Sequence, residues 1–233
     1  MDSYNIEHYA RSISAPYRQA FRDLPVRVGT PAPGFRLPST TGEMVALDEL
    51  RADGPAALIF GCYTAPPCVS QLPRLERGYR ELAPLGVRFA LIYTREIHPG
   101  AYFPPHRSVQ QKTDQARRLQ RETGVTFPVL VDTLEGTVHR QYGGLPSMAY
   151  LVRRDGRIVY RAEWTHALHL LGAMANLLDG ERLREGTLGY VEELNFRPGE
   201  SDADWRVLLS KYGAGAEEDW RADRTRSPLP GIG

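Results

Sequence analysis

Ala56-Ala57-Leu58-Ile59-Phe60 is an unbroken apolar run held between Gly54-Pro55 and Gly61, and it limits the possible folds more than any other stretch of the chain. A strand with one wet face alternates apolar and polar residues. A run without alternation must be covered on both sides, as central strands of parallel α/β sheets are. Pro66-Pro67 follow closely, and prolines are harmless in a helix's first turn because the N–H groups they lack would have no helical partner there. Leu72, Leu75, Tyr79 and Leu82 then recur on one face, as in an amphipathic helix. The pattern predicts a buried strand passing directly into a helix, with Pro73 inside that helix kinking it at a cost of about 3 kcal/mol.

Similar reasoning extends along the chain. Val87 to Tyr93 reads as a second strand, followed by a polar, proline-rich loop from Glu96 to His106. Residues 107–123 are mostly charged with a thin Val109/Ala116/Leu119 stripe, a surface helix. Phe127 to Val131 is a third strand, Met148 to Val152 and Ile158 to Tyr160 form a hairpin across Arg154-Asp155-Gly156, and Leu168, Leu171, Met174, Ala175 and Leu178 mark a closing helix. The order implies an α/β domain, its mostly parallel sheet ending in an antiparallel pair with helices on both faces.

Two extensions flank this domain, giving expected segments 1–27, 28–180 and 181–233. Tyr4, Tyr9, Ile13, Tyr17 and Phe21, ended by Pro25, predict an N-terminal helix outside the core. From Val28 to the Asp48-Glu49-Leu50 turn the chain is punctuated by prolines and glycines. In the charged, glycine-rich tail Ser201 is placed to cap a short helix whose Trp205, Leu208, Leu209 and Tyr212 share one face, stopped by Gly213. That face packs either on its own core or across a homodimer.

The charge balance excludes some partners. Among 233 residues, 29 Lys and Arg against 28 Asp and Glu leave a formal charge of +1, so no nucleic-acid partner is implied. The longest strongly apolar run, Ala56 to Cys62, falls far short of the roughly 18 residues of a membrane span, so no membrane partner is expected either. The N-terminus shows no basic region followed by an apolar one, which makes the cytoplasm the expected location. The two cysteines, Cys62 and Cys68, are too few for a disulfide framework or a four-sulfur zinc site. They leave redox chemistry, a catalytic thiol or two inert small residues as the alternatives.

Gly61-Cys62-Tyr63-Thr64-Ala65-Pro66-Pro67-Cys68 spans the handover from strand to helix. Helix N-termini stabilise anions, which predicts a lowered thiol pKa at this junction. Ala65 to Pro73 resembles the active helix of the thioredoxin family, with alanine where the first cysteine of a C-x-x-C pair would stand. Gly144-Leu145-Pro146-Ser147 resembles the family's cis-proline loop, and Pro146 is assigned to substrate positioning by that likeness. The stretch from Val28 to Phe60 is similar to the redoxin branch, although the peroxidatic P-x-x-x-T-x-x-C pattern fails because Ala65 stands three residues before Cys68.

The most specific resemblance is to the iodothyronine deiodinases and their bacterial relatives. Phe60 to Pro67 resembles the segment in which selenocysteine lies between Thr and Pro-Pro, and Ala65 falls on that residue. Ile92-Tyr93-Thr94-Arg95-Glu96-Ile97-His98-Pro99 resembles I-Y-x-x-E-x-H-P, and Pro105-His106-Arg107-Ser108 resembles P-x-H-R-S. The matches run in order over about residues 28–180 and imply a thioredoxin-like three-layer sandwich. They also imply catalytic positions at Ala65, Cys68, Cys62, Thr64, His98 and Glu96, and substrate contacts at Pro146, Tyr63, His106, Arg107 and Trp164. Glu96 and His98 would supply protons or orient substrate, and Cys68 or Cys62 would resolve the intermediate.

Three departures stand out. The His98–His106 loop is shorter than in the animal enzymes, and Glu163-Trp164-Thr165-His166 replaces the stretch with a hormone-binding arginine, so an iodothyronine is not the expected substrate. Alanine has no lone pair and cannot act as a nucleophile. Either a Cys or selenocysteine has been replaced at 65, or the lineage has given the atom up. The reading is a thiol- or selenol-dependent oxidoreductase, inactive as written, acting by dehalogenation or by disulfide or peroxide reduction on a small-molecule or thiol substrate. No bound cofactor is expected, and electrons would come from an external thioredoxin- or glutathione-type reductant. The alternatives are a non-catalytic thioredoxin-fold binding protein, and a metal-binding redoxin using Cys62, Cys68 and a histidine such as His166 or His169.

Overall fold

The computed structural model describes residues 4–8, 19–179 and 191–193, with positions 213, 215 and 218. In chain order, β1 (Arg36–Pro38) and β2 (Met44–Ala46) lead to α1 (Leu47–Leu50), β3 (Ala56–Gly61), α2 (Pro66–Val69) and α3 (Leu72–Leu82). Then come β4 (Arg88–Tyr93), α4 (Val109–Thr123), β5 (Val129–Val131), α5 (Thr137–Gln141), β6 (Ala149–Val152), β7 (Ile158–Ala162), α6 (Ala167–Leu178) and β8 (Val191–Glu193).

The apolar run occupies the centre. β3 is buried at every position and lies inside a six-stranded sheet of order β5-β4-β3-β6-β7-β8. β4 and β5 run parallel to it, β6 and β7 form the antiparallel hairpin, and β8 pairs parallel to β7. Successive side chains of a strand point to opposite faces, and the core divides accordingly. Ala57, Ile59, Phe89 and Leu91 pack with Leu75 of α3, Leu119 of α4 and Met174 of α6. On the other face Leu58, Phe60, Ala90 and Ile92 meet Leu37, Leu50, Val138 and Phe21. This is the thioredoxin-like layered sandwich expected from the resemblance.

Several local expectations are corrected. The helix after β3 is broken, not kinked: α2 ends at Val69, and Pro73 falls in the first turn of α3, where its missing N–H costs nothing. The turn-rich stretch before α1 holds a small ribbon, β1 paired with β2. Residues 4–8 are not helical and residues 19–23 are, Tyr9, Ile13 and Tyr17 lie outside the described residues, and Tyr4 (5% exposed) and Phe21 (0%) are buried in the domain rather than outside it. Ser108 caps α4 by accepting from Gln111 N at 3.1 Å, and its buried face is Lys112, Gln115, Ala116 and Leu119, with Val109 exposed. In α6 the buried residues are Ala167, Leu170 and Met174, and Leu168 faces outward. The expected helix around Trp205 to Tyr212 lies outside the described residues.

Candidate functional site

β3 ends at Gly61, and the chain turns through Cys62, Tyr63 and Thr64 into α2. Gly61 has no side chain for a concrete reason: a Cβ there would lie 2.3 Å from Cys68 Sγ. Cys68 therefore packs on the strand's end. Ala65 is the residue that begins α2, with its carbonyl accepting from Cys68 N at 2.9 Å and Val69 N at 3.0 Å. Pro66 and Pro67 fill the next two positions and offer no N–H. Cys62, Thr64, Ala65 and Cys68 are all fully buried, and both cysteines are free thiols.

The helix mouth does not lower these thiols, contrary to expectation. Burial pushes Cys68 up to about 12. Burial and then the charge of Glu96 raise Cys62 well above the ordinary thiol value. A four-residue helix that begins with two prolines presents too few free N–H groups to offset desolvation.

Thr64 joins this turn to the loop after β4. Its N–H and hydroxyl both donate to Glu96 Oε2, at 2.9 and 2.6 Å, and its Oγ accepts from Ile97 N at 3.1 Å and His98 N at 3.2 Å. Cys62 Sγ lies 3.6 Å from the same hydroxyl. The other carboxylate oxygen of Glu96 accepts from Tyr93 OH and lies 3.4 Å from His106 Nε2, which also donates to Gln115 Oε1 at 2.5 Å. Burial alone would raise the Glu96 carboxyl. The hydrogen bond and charge of His106, with bonds from Thr64 and Tyr93, outweigh burial and hold it below the usual carboxylate range. Glu96, a catalytic position by the resemblance, is only 1% exposed, with both carboxylate oxygens held in hydrogen bonds.

The remaining residues predicted for the site divide into two groups. His98 is buried on the same loop, and His106 is buried beside Glu96. Tyr63 is half-buried under Phe103, their rings stacked with centroids 4.0 Å apart, with Arg118 over Phe103 at 4.4 Å and the Tyr63 hydroxyl donating to Glu122. The short loop thus folds over the turn that carries Cys62. Continuing the Ile59↔Ala149 register three places sets Pro146 abreast of Cys62. Its peptide bond is trans, against the cis form expected, since the described residues contain no cis bond. Trp164 bridges by its backbone to Ser147. Arg107 is not drawn in: it is exposed and pairs with Glu7 at 2.8 Å.

Sequence reasoning missed Tyr93 and Gln115, which complete the Glu96 network, and His139, a fully buried ring whose Nε2 donates to Leu145 O at 2.6 Å. One signal was available: Lys112 and Gln115 sit on the same helical face as Ala116 and Leu119, and polar residues inside an apolar stripe need buried partners. Among the described residues no group of three or more His, Cys, Asp or Glu side chains is placed to hold a metal ion.

A thioredoxin-like sheet with a thiol-bearing turn at its carboxyl edge defines a redoxin. A family model described as the AhpC/TSA family matches residues 28–161. The chain belongs to that family. It is 28% identical over 145 residues to the type I iodothyronine deiodinase of Xenopus laevis, covering 58% of this chain and 56% of the relative. It is 29% identical over 145 residues to the thiol-disulfide oxidoreductase ResA of Halalkalibacterium halodurans, covering 61% and 73%. The chain spans about half the length of the deiodinases it matches, 56% and 45%. An uncharacterized conserved protein from Geobacillus kaustophilus shares the fold with a TM-score of 0.56, at 21% identity over 75% of this chain and 95% of that one. The thioredoxin domain of a thiol-disulfide oxidoreductase from Bacteroides vulgatus does so at 0.51, with 16% identity over 65% and 97%.

Proposed function

We propose that this chain is a deiodinase-like redoxin whose nucleophile seat is position 65 and which, with alanine there, does not perform the first chemical step. One observation carries the reading. The Ala65 methyl group stands at the start of α2 between Thr64, which is fastened to Glu96, and Cys68, so the surroundings of a nucleophile are built while its atom is missing. Glu96 acts as a positioning residue that holds Thr64 and the 96–98 loop. His98 is the group we assign to proton transfer, and Pro146 borders the substrate.

With sulfur at 65 the cycle on a disulfide closes as follows. The thiolate attacks one sulfur, the substrate S–S bond breaks, and the far half leaves as a thiolate that takes a proton. Cys68 then attacks the mixed disulfide, frees the second substrate thiol and leaves an intramolecular disulfide, which an external dithiol reduces with two electrons. Peroxides and aryl halides are the other substrate classes the resemblance suggests. A non-catalytic binding role is the second reading, favoured by the full burial of Ala65 and of both raised-pKa thiols. The test is Ala65→Cys, and the selenocysteine equivalent, assayed for dithiol-dependent turnover of a disulfide, a peroxide and an aryl halide. Turnover on one class above the parent chain supports the redoxin reading. Silence of both variants on all three assigns the chain to binding.

A further inference from the structure

Residues 4–8 have no regular secondary structure, yet four successive side chains are seated. The Tyr4 ring is surrounded by cations: the Arg95 guanidinium lies 4.8 Å from its centroid, Arg140 5.0 Å and the Lys112 ammonium 6.0 Å. Its backbone carbonyl accepts from Arg95 at 2.9 Å. Asn5 donates to Leu134 O at 2.9 Å. Ile6 is 8% exposed and packs in the apolar cluster that holds Cys62, Ala65 and Ile97. Glu7 pairs with Arg107 at 2.8 Å. The seat is shaped to the ring, because a Cβ on Gly136, whose φ is +68°, would fall 2.0 Å from Tyr4 Cζ.

The segment also reaches the Pro146 loop. Leu145 O only accepts, so the His139 Nε2 bound to it carries the proton and Nδ1 accepts from the Tyr4 hydroxyl. One hydrogen-bonded line thus runs from Tyr4 through His139 to the carbonyl just before Pro146.

We propose that residues 4–8 form an intramolecular strap that closes the thiol edge and steadies the Pro146 loop through His139, so that reagents reach Cys62 only when the strap lifts. This goes beyond the redox assignment, since it concerns access to Cys62 and holds whatever atom stands at 65. The strap is held by the buried Tyr4 and Ile6 side chains, by hydrogen bonds from Arg95 to the Tyr4 carbonyl and from Asn5 to the Leu134 carbonyl, and by an exposed ion pair. The exposed ion pair is the weakest of these holds, and a short segment outside the sheet can open locally without unfolding the sheet. Lifting it would uncover the buried cations Arg95 and Lys112 and wet the His139 ring, which burial and then the charge of Arg95 hold at a pKa of about 3.

The experiment is N-ethylmaleimide labelling of the folded full-length chain, with Cys62 and Cys68 resolved by mass spectrometry. Tyr4→Ala is expected to raise the Cys62 rate roughly tenfold or more while Cys68 stays at its parent rate, and to move the His139 titration seen by NMR toward the ordinary histidine value, about 6.5. Glu7→Arg, which sets two cations face to face at an exposed site, is expected to raise the Cys62 rate a few-fold, and adding Arg107→Glu to return it. An unchanged Cys62 rate in both single variants overturns the strap. So does a rise of equal factor at both cysteines, which would report loosening of the whole domain. If Tyr4→Ala does not fold, the exposed charge reversal and its swap decide the matter.

Discussion

Glu96 Oε2 accepts from both the backbone N–H and the hydroxyl of Thr64, at 2.9 and 2.6 Å, so one carboxylate oxygen fixes the turn after β3 to the loop after β4. The Thr64 oxygen in turn accepts from two backbone N–H groups, of Ile97 and His98. Thr64→Val keeps the shape and strands these groups in a buried place. Each unsatisfied buried group costs about 1–3 kcal/mol, so a loss of about 2–4 kcal/mol is expected from urea denaturation. Thr64→Ser should stay within about 1 kcal/mol of the parent, and a valine variant as stable as the serine one would refute the network.

Glu96 itself sets an acid limit. Its carboxyl is depressed in the folded state, so its contribution is complete above the unfolded value of about 4.5 and is lost as pH falls through the lower folded value. Glu96→Gln removes the charge beside His106 and should cost about 2–4 kcal/mol at pH 7. The stability gap between parent and variant is expected to narrow below pH 4.5. Urea midpoints from pH 7 down to pH 3 provide the measurement, and a gap independent of pH contradicts it.

The sheet was legible because Ala56 to Phe60 cannot be half-exposed and because Arg154-Asp155-Gly156 marks a tight turn, and both features are local. The burial of Tyr4 and Phe21 in the domain was not legible, for the opposite reason. Tyr4 and Phe21 share a helical stripe in sequence, but their partners, His139 and Tyr150, lie more than a hundred residues away. Candidate residues were legible as types and order, so Thr64, Glu96, His98 and His106 do converge. Their protonation was not, since a helix mouth lowers a thiol and burial raises it, and sequence does not say which prevails. Pro73 shows the same limit at the backbone: two short helices or one kinked helix satisfy the same pattern.

His139 gives a second pH dependence, which sets in at a higher pH than that of Glu96. Burial, then the charge of Arg95, lowers it from the usual 6.5 to about 3. The unfolded chain therefore takes this proton first as pH drops, and stability falls from about pH 6.5 toward pH 3, at up to about 1.4 kcal/mol per pH unit. His139→Gln should be less stable at pH 7, having lost good bonds to Tyr4 and Leu145, but should lose less between pH 6 and pH 4.5. Parallel curves for parent and variant across that range would show that the ring is not held neutral.

Gly61→Ala tests where Cys68 sits, on which its proposed role as resolving thiol depends. The new methyl group would meet Cys68 Sγ at 2.3 Å and Cys68 Cβ at 2.8 Å. Gly61 does not have a positive φ, so the objection to a side chain there is one of space alone. Overpacking of this kind costs about 1–3 kcal/mol. Cys68→Ala removes the sulfur and keeps Cβ, so it should relieve part of the clash and leave part. A double-mutant cycle is expected to give a favourable coupling of about 1 kcal/mol between the two sites. A coupling of zero would mean that the sulfur does not lie against the strand's end. In that case a nucleophile restored at 65 would lack its partner on the next turn, and Cys62, on the other side of Thr64, would be left as the thiol to resolve it.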